Sequence, residues 1–452
     1  MIGGQSVIDT VTILDSPNTT MNKLALEDSA AHDWYRFVLS YPPHLVRYYL
    51  EKFGMTPSST VLDPFCGTGT TIVESKKQGI GSVGIEAHPM THFASSVKVN
   101  WTADAGELAE QAEWIAEKTM RTLDRDGMGE VFTRRLLETN GGSGEYSGLR
   151  RLPDEQVKLL LRDSISEVPL HKSLVLRSVI DEHADASNRP YFRLALAKAL
   201  VYTISNLHFG PEVGVGKPKA DAAVIGSWLA NVQAMSSDLL KLQALELDGV
   251  PAHAIHADSR QLVDVLEPES IDAVICSPPY PNEKDYTRTT RLESVLLGFF
   301  STRAELQAIK RGLVRSNTRT VYKGDDDDQH VADIPEIQRI AAAIEARRIE
   351  LGKTSGFERM YHRVTKLYFG GMAKHFADLR SVLKPGAQLA YVVGDQASYL
   401  RVMIRTGQLL AEIAETLGYE VVNLDLFRTR LATATGEQLR EEVVVLRWPG
   451  PR

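Results

Sequence analysis

The segment Val61-Leu62-Asp63-Pro64-Phe65-Cys66-Gly67-Thr68-Gly69-Thr70-Thr71 constrains the fold more than any other part of the chain. An apolar run stops at Asp63 and Pro64, passes through small residues and continues into a helix-compatible stretch from Ile72 to Gln78, which predicts a strand, a loop and a helix. Gly67 and Gly69 lack a Cβ and tolerate positive φ, so the backbone can lie against a ligand while the first helical turn offers N–H groups. Ser82-Val83-Gly84-Ile85-Glu86 reads as a second strand, ending in a carboxylate placed to bind ribose hydroxyls. The loop lacks Gly-x-Gly-x-x-Gly, which weakens a dinucleotide reading, and the chain has no Gly-x-x-x-x-Gly-Lys-Ser/Thr for a nucleoside triphosphate.

A second strand-end turn follows far downstream. Ile271 to Cys276 is apolar and breaks at Ser277-Pro278-Pro279-Tyr280, where two prolines remove backbone donors and fix φ. The carbonyls of Ser277 and Pro278 are thereby left to accept from a ligand, with a hydroxyl on one side and an aromatic face on the other. An exocyclic amino group needs such acceptors, and a planar base needs such a face. Read alone, the same four residues are also a rigid strand-end turn.

Taken together, Asp63-Pro64-Phe65-Cys66-Gly67-Thr68-Gly69-Thr70 resembles motif I, and Ser277-Pro278-Pro279-Tyr280 resembles motif IV, of the S-adenosylmethionine-dependent amino-methyltransferases that act on DNA. The resemblance implies an α/β Rossmann-like methyltransferase fold: a seven-stranded, mostly parallel sheet whose last strand is antiparallel, with a mostly helical insertion. It implies S-adenosylmethionine as cofactor, held by Asp63, Pro64, Phe65, Gly67, Gly69, Thr70 and Glu86, with Asp258 near adenine. Phe37 and Pro42, in a segment similar to the family's motif X, are implied to close over the methionine end; that segment also reads as a helix start set by prolines. Ser277, Pro278, Pro279 and Tyr280 are the implied catalytic residues. In the family this turn with Ser first is most often found in enzymes of cytosine N4, and with Asp or Asn first in enzymes of adenine N6. The implied partner is DNA, in a restriction-modification or defence setting with linked proteins. An RNA base methyltransferase and an inactive cofactor- and nucleic-acid-binding subunit are the alternatives. The cytosine C5 route needs a Pro-Cys pair, which neither Cys66 nor Cys276 forms.

With 452 residues, 43% of them apolar, the chain has room for two or three domains of about 150 residues each. No apolar run approaches the roughly 18 residues of a membrane span, and the first basic residue is Lys23, so a cytoplasmic location is expected. Two cysteines without Cys-x-x-Cys or Cys/His spacing predict neither a metal site nor a disulfide framework. A net charge of −7 requires any nucleic-acid contact to be local.

In order, residues 1–30 are expected to be an N-terminal arm, 31–100 the cofactor-binding half, 101–250 a helical insertion suited to target recognition, and 251–452 the catalytic half, with a charged insertion at about 303–360. Within 101–250, helical patterns span 105–125, 154–167, 170–184, 191–207 and 223–247, and His208, Arg189, Lys217 and Lys219 are candidate contacts. Strands are predicted at 60–63, 82–86, 253–257, 271–276, 387–393, 419–424 and 442–448, with Phe427-Arg428-Thr429-Arg430 as a polar loop between the last two. Lys284, Tyr286, Arg288 and Arg291, then Arg311, Arg315 and Arg319 in a run from Lys310 to Lys323, are the candidate nucleic-acid contacts. Asp325 to Asp328 follow that run at once, so a solvated loop whose charges cancel locally is the competing reading.

Overall fold

In the strand Ile271–Cys276, Ala273 and Ile275 point to one side and Val274 and Cys276 to the other, and all four are buried, which is the signature of a central strand covered on both faces. The structure is a computed structural model and describes residues 24–36, 40–130, 148–209, 212–282, 284–431 and 438–451. Its main sheet contains β1 (Thr60–Asp63), β2 (Gly81–Ile85), β3 (Ala252–Ile255), β4 (Ile271–Cys276), β5 (Leu383–Gly394), β6 (Glu420–Leu431) and β7 (Gln438–Arg447). The strands lie in the order β3-β2-β1-β4-β5-β7-β6; β3, β2, β1, β4 and β5 are parallel, and β7 inserts antiparallel between β5 and β6. This is the Rossmann-like methyltransferase fold that the motif pair implies.

The labelled helices are α1 (Pro43–Lys52), α2 (Thr70–Lys77), α3 (Pro89–Val99), α4 (Ala105–Arg125), α5 (Glu167–His183), α6 (Arg189–Ala199), α7 (Val224–Gln243), α8 (Arg303–Arg311), α9 (Pro335–Glu350), α10 (Tyr361–Leu379) and α11 (Thr406–Thr416). Their starts follow local chemistry. Proline opens α1, α3 and α9, where a missing N–H costs no hydrogen bond, and Thr302 with Glu305 forms a capping box at α8. Leu45, Val46, Tyr49 and Leu50 of α1 cover Val61, Ala273, Ile275, Ala390 and Val392 on one face. On the other, α10 and α11 bury Leu62, Val274, Cys276, Leu389, Tyr391 and Val393.

Residues 105–243 contain α4 to α7 and a small antiparallel hairpin, Leu207–Phe209 with Val213–Val215. Leu108, Ala112, Ile115 and Leu123 of α4 are buried as their spacing predicts. These helices share one continuous core with Ile72 and Val73 of α2 and Met90 and Ala94 of α3. The chain then returns as β3, which pairs directly with β2 through Ile85 and Ile255. Two helical expectations are corrected. The stretch 154–167 holds only one helical turn, Asp154–Val157, because Pro153, Asp163 at positive φ and the Ser164-Ile165-Ser166 turn interrupt it. The helix expected over 191–207 ends at Ala199 in a π-helical turn, and Leu207 begins the hairpin. A further correction concerns β6 and β7. Phe427 to Arg430 continue β6 to Leu431, so the two strands form a long hairpin where a polar loop was expected.

Candidate active site

The C-terminal ends of β1, β2, β4 and β5 converge on a cavity of about 660 Å³, within the usual size of a small-molecule site. The turn after β1 forms its floor. Gly67 and Gly69 both sit at positive φ, +52° and +87°, and Gly69 opens α2 without any side-chain cap. A Cβ on Gly69 would press on Ser95 at 3.0 Å; one on Gly67 would meet nothing, because that side of the backbone faces open space. Cys66 packs against Gly84 so closely that a Cβ there would lie 2.8 Å from the sulfur, which accounts for a glycine in mid-strand. Both cysteines are buried, so their small thiols fill space.

Glu86 ends β2 beneath this turn. The Gly67 N–H donates to its Oε2 and the His88 N–H to its Oε1, each at 2.8 Å. Burial raises its carboxyl above the ordinary range, opposed by those two N–H groups, and no lysine or arginine pairs with it among the described residues. Such a carboxylate suits a neutral diol as partner. A backbone cradle open at Gly67 and an acid that lacks a counter-cation therefore fit a nucleoside cofactor.

Asp63 has a different role. It is fully buried, burial raises its carboxyl to about 7 against hydrogen bonds that lower it, and it does not line the cavity. Its Oδ1 accepts from the Phe65 N–H (3.1 Å), and the Tyr41 hydroxyl, with one proton to give, stands within hydrogen-bonding distance of both its Oδ2 (3.3 Å) and the Thr71 hydroxyl. Thr71 in turn donates to the Ile275 carbonyl of β4 at 2.9 Å. Through Tyr41, the segment before α1 is tied to both motif strands, and Pro42 lines the cavity beside Pro64, Phe65 and Thr70. Phe37 lies outside the described residues. Asp258 does not face the cavity: both its oxygens accept from the Arg260 guanidinium, the shortest contact being 2.6 Å, and Ser259 faces inward instead.

Ser277, Pro278, Pro279 and Tyr280 all line the same cavity. The Ser277 hydroxyl donates to the Val392 carbonyl of β5 at 3.1 Å, and the Tyr280 hydroxyl stands 3.4 Å from the same oxygen. Since a serine has one proton to give, this geometry directs it to the sheet and leaves the oxygen as an acceptor. Tyr280 packs over Gly394, where a Cβ would come within 3.3 Å of the ring, and burial holds its phenol above the normal value and hence neutral.

Of the candidate nucleic-acid contacts, Lys284 and Tyr286 line the cavity. Arg288 is drawn to Glu212 at 3.3 Å. The Arg291 guanidinium donates to the carbonyls of Thr287 and Leu159, and Arg315 is buried against Asp325 with further bonds to backbone carbonyls. Internal acceptors thus engage these two guanidinium groups. Arg311 lies over the Tyr322 ring at 5.4 Å and Arg319 over Phe357 at 5.3 Å, and neither lines the cavity, although their neighbours Gly312 and Thr320 do. In the helical stretch, Arg189 and Lys219 donate to the carbonyls of Ala184 and Thr203. Sequence reasoning missed Arg428, Arg430 and Glu441, which line the cavity from the β6–β7 hairpin. The signal was present: Leu424, Leu426, Arg428 and Arg430 continue a period of two beyond the apolar part of the strand.

This fold, with an open backbone turn after β1, an acid at the end of β2 and the Ser277–Tyr280 turn after β4 around one cavity, is that of an S-adenosylmethionine-dependent methyltransferase. The comparisons with known proteins go further. Residues 16–94 match a family model of N6/N4 methyltransferases described as DNA methylase. The chain is 25% identical to the type II methyltransferase M.BsoBI of Geobacillus stearothermophilus, over 97% of this chain and 89% of that protein. It is 23% identical to M.AvaI of Nostoc sp. (strain PCC 7120), over 92% and 86%. A shorter match, 37% identical over 57 residues, covers 13% of this chain and 11% of M.MjaII of Methanocaldococcus jannaschii. With the motif pair in its structural context, these matches support an amino-methyltransferase of the N4/N6 type. Among the described residues no helix is long and apolar enough to cross a membrane, and no group of three or more metal-ligating side chains gathers.

Proposed function

We propose that this protein methylates an exocyclic amino group of a base in DNA, cytosine N4 in preference to adenine N6, as part of a restriction-modification system. Type II methyltransferases of similar length and domain coverage support the DNA substrate and the setting. The observation that carries the chemistry is the Ser277 hydroxyl, whose proton is committed to Val392 and whose oxygen therefore accepts. Bound S-adenosylmethionine supplies an electrophilic methyl group.

The residues of this chain have the remaining work of orientation. Glu86 and the backbone at Gly67 hold the nucleoside end. Ser277 and the Pro278 carbonyl accept from the amino hydrogens, which aims the nitrogen lone pair, and Tyr280 stacks on the ring. Ser277 is neutral, so it withdraws no proton before attack; alignment is its contribution. The turn lies inside a cavity, beyond the reach of a stacked base, and this supports extrusion of the target nucleotide. Residues 101–250 are assigned target reading in support of the same step, since their hairpin brings Glu212 to the cavity wall.

The test is nucleoside analysis of DNA and of tRNA, each incubated with the protein and S-adenosylmethionine. N4-methylcytosine in DNA is expected. N6-methyladenine alone would overturn the base preference, and label confined to tRNA would overturn the DNA substrate.

A further inference from the structure

The hairpin of β6 and β7 outruns the rest of the sheet. β5 pairs with β7 only as far as Gly394 opposite Glu441; beyond it Arg440, Leu439 and Gln438 pair with Thr429, Arg430 and Leu431, and Arg440 also bonds Asp395 just past β5. Gly394 closes the C-terminal end of β5, the end where the cavity opens, so the projecting part stands at the cavity mouth. Arg428 and Arg430 occupy one face of β6 by the two-residue period, and both line the cavity.

Basic side chains gather there. Glu441 holds Arg428 at 2.5 Å and also meets Arg430 at 3.3 Å, so one carboxylate serves two guanidinium groups. Lys284 faces them from the segment after the catalytic turn. Burial first, and then Arg430, lower its ammonium below the usual lysine value, which records a cation set beside another cation. The Arg430 side chain remains 44% exposed. Lys284, Arg428 and Arg430 thus gather at the wall of a base-sized cavity, with Glu212 and Glu441 as the carboxylates that act on Lys284.

We propose that Arg430 and Lys284 form a phosphate clamp, gripping the sugar-phosphate backbone next to the nucleotide that enters the cavity. The clamp rests on the nucleic-acid reading above and adds to it the element that holds the strand. Arg430 offers a planar fork to phosphate oxygens, Lys284 a point charge from the opposite wall, and Glu441 keeps the fork aimed from within the hairpin.

The test is fluorescence anisotropy of a labelled mixed-sequence duplex and its single strand with the full chain, across a salt series. For Arg430→Gln and Lys284→Gln, each lost phosphate contact should flatten the plot of log affinity against log salt by about 0.7 to 0.9. Arg430→Lys should restore most of the slope. Arg339→Gln, on the exposed side of α9 and paired with Glu336, should leave the slope as in the wild type. Calorimetric binding of S-adenosylhomocysteine checks that each variant retains its fold. If Arg430→Gln and Lys284→Gln both keep the wild-type slope while the wild type binds and methylates DNA, the clamp is wrong and the methyltransferase reading stands. If the wild type binds no nucleic acid, clamp and DNA substrate fail together.

Discussion

Between Lys310 and Lys323 the chain carries five basic residues and no acid, whereas from Phe427 to Leu431 it carries only Arg428 and Arg430; yet only the shorter stretch lines the cavity with its basic side chains, the longer one lining it through Gly312, Leu313, Val314, Ser316, Asn317 and Thr320. In the longer run Lys310 is buried against Asp285 at 2.9 Å and Arg315 against Asp325 at 2.9 Å, while Arg311 and Arg319 lie over aromatic rings. Its charge is used to hold an irregular segment together around α8. In the hairpin, two guanidinium groups share one carboxylate and stand at a mouth. The difference teaches that the number of basic residues in a stretch says little about its electrostatic surface. What matters is whether folding supplies each one with an acceptor.

The strongest way to break this comparison is Arg315→Ala. Removing one partner of a buried, multiply bonded pair leaves Asp325 with only the Tyr322 N–H and takes a donor from several carbonyls, a loss of about 3 to 5 kcal/mol. Thermal unfolding should show a large drop in Tm, and the salt slope of DNA binding should not change. A stable variant with a flattened slope would make Arg315 a phosphate ligand after all.

Glu74 sharpens the point from the acidic side. Burial alone would raise its carboxyl, but His32, Lys77 and Arg47 outweigh it and hold the group down at about 2, below an ordinary value of 4.5. A carboxyl depressed in the folded state contributes stability that is complete above 4.5 and is lost as pH falls toward 2. The wild type should therefore exceed Glu74→Gln by up to about 3 kcal/mol near neutrality, with the gap closing as pH is lowered through that window. A gap independent of pH would show that packing, and not charge, fixes Glu74.

The smallest effect belongs to Arg311→Gln. This exposed residue does not line the cavity, and its replacement should change both stability and salt slope by little, within about 0.5 kcal/mol for the former. A slope loss as large as that of Arg430→Gln would return the long basic run to the nucleic-acid surface.

Much of this arrangement was legible in the sequence because it is local. The strand ends at Asp63 and Ser277 are set by the residues immediately around them, and proline and glycine enforce those turns wherever the chain goes. The strand pattern was readable for a related reason: β4 is apolar on both faces, so its burial is written in consecutive residues. The extent of the β6–β7 hairpin was not, since its outer part leaves the core and its side chains become polar, which imitates a loop. Asp258 shows the limit of proximity: an acid at a strand end resembles a ligand for adenine, while in the fold Arg260, two residues on, pairs with both its oxygens. Arg291 and Arg315 depend on carbonyls and carboxylates whose positions only the fold supplies.

Single-turnover methyl transfer by Ser277→Ala, beside the wild type and at saturating S-adenosylmethionine and DNA, tests the central claim most directly. One aligned acceptor to a partly charged transition state contributes about 1.5 to 3 kcal/mol, so the rate should fall roughly 10-fold or more while calorimetry shows unchanged cofactor binding. Transfer at the wild-type rate would contradict the account, since the turn at Ser277 would then play no part in orienting the amino group.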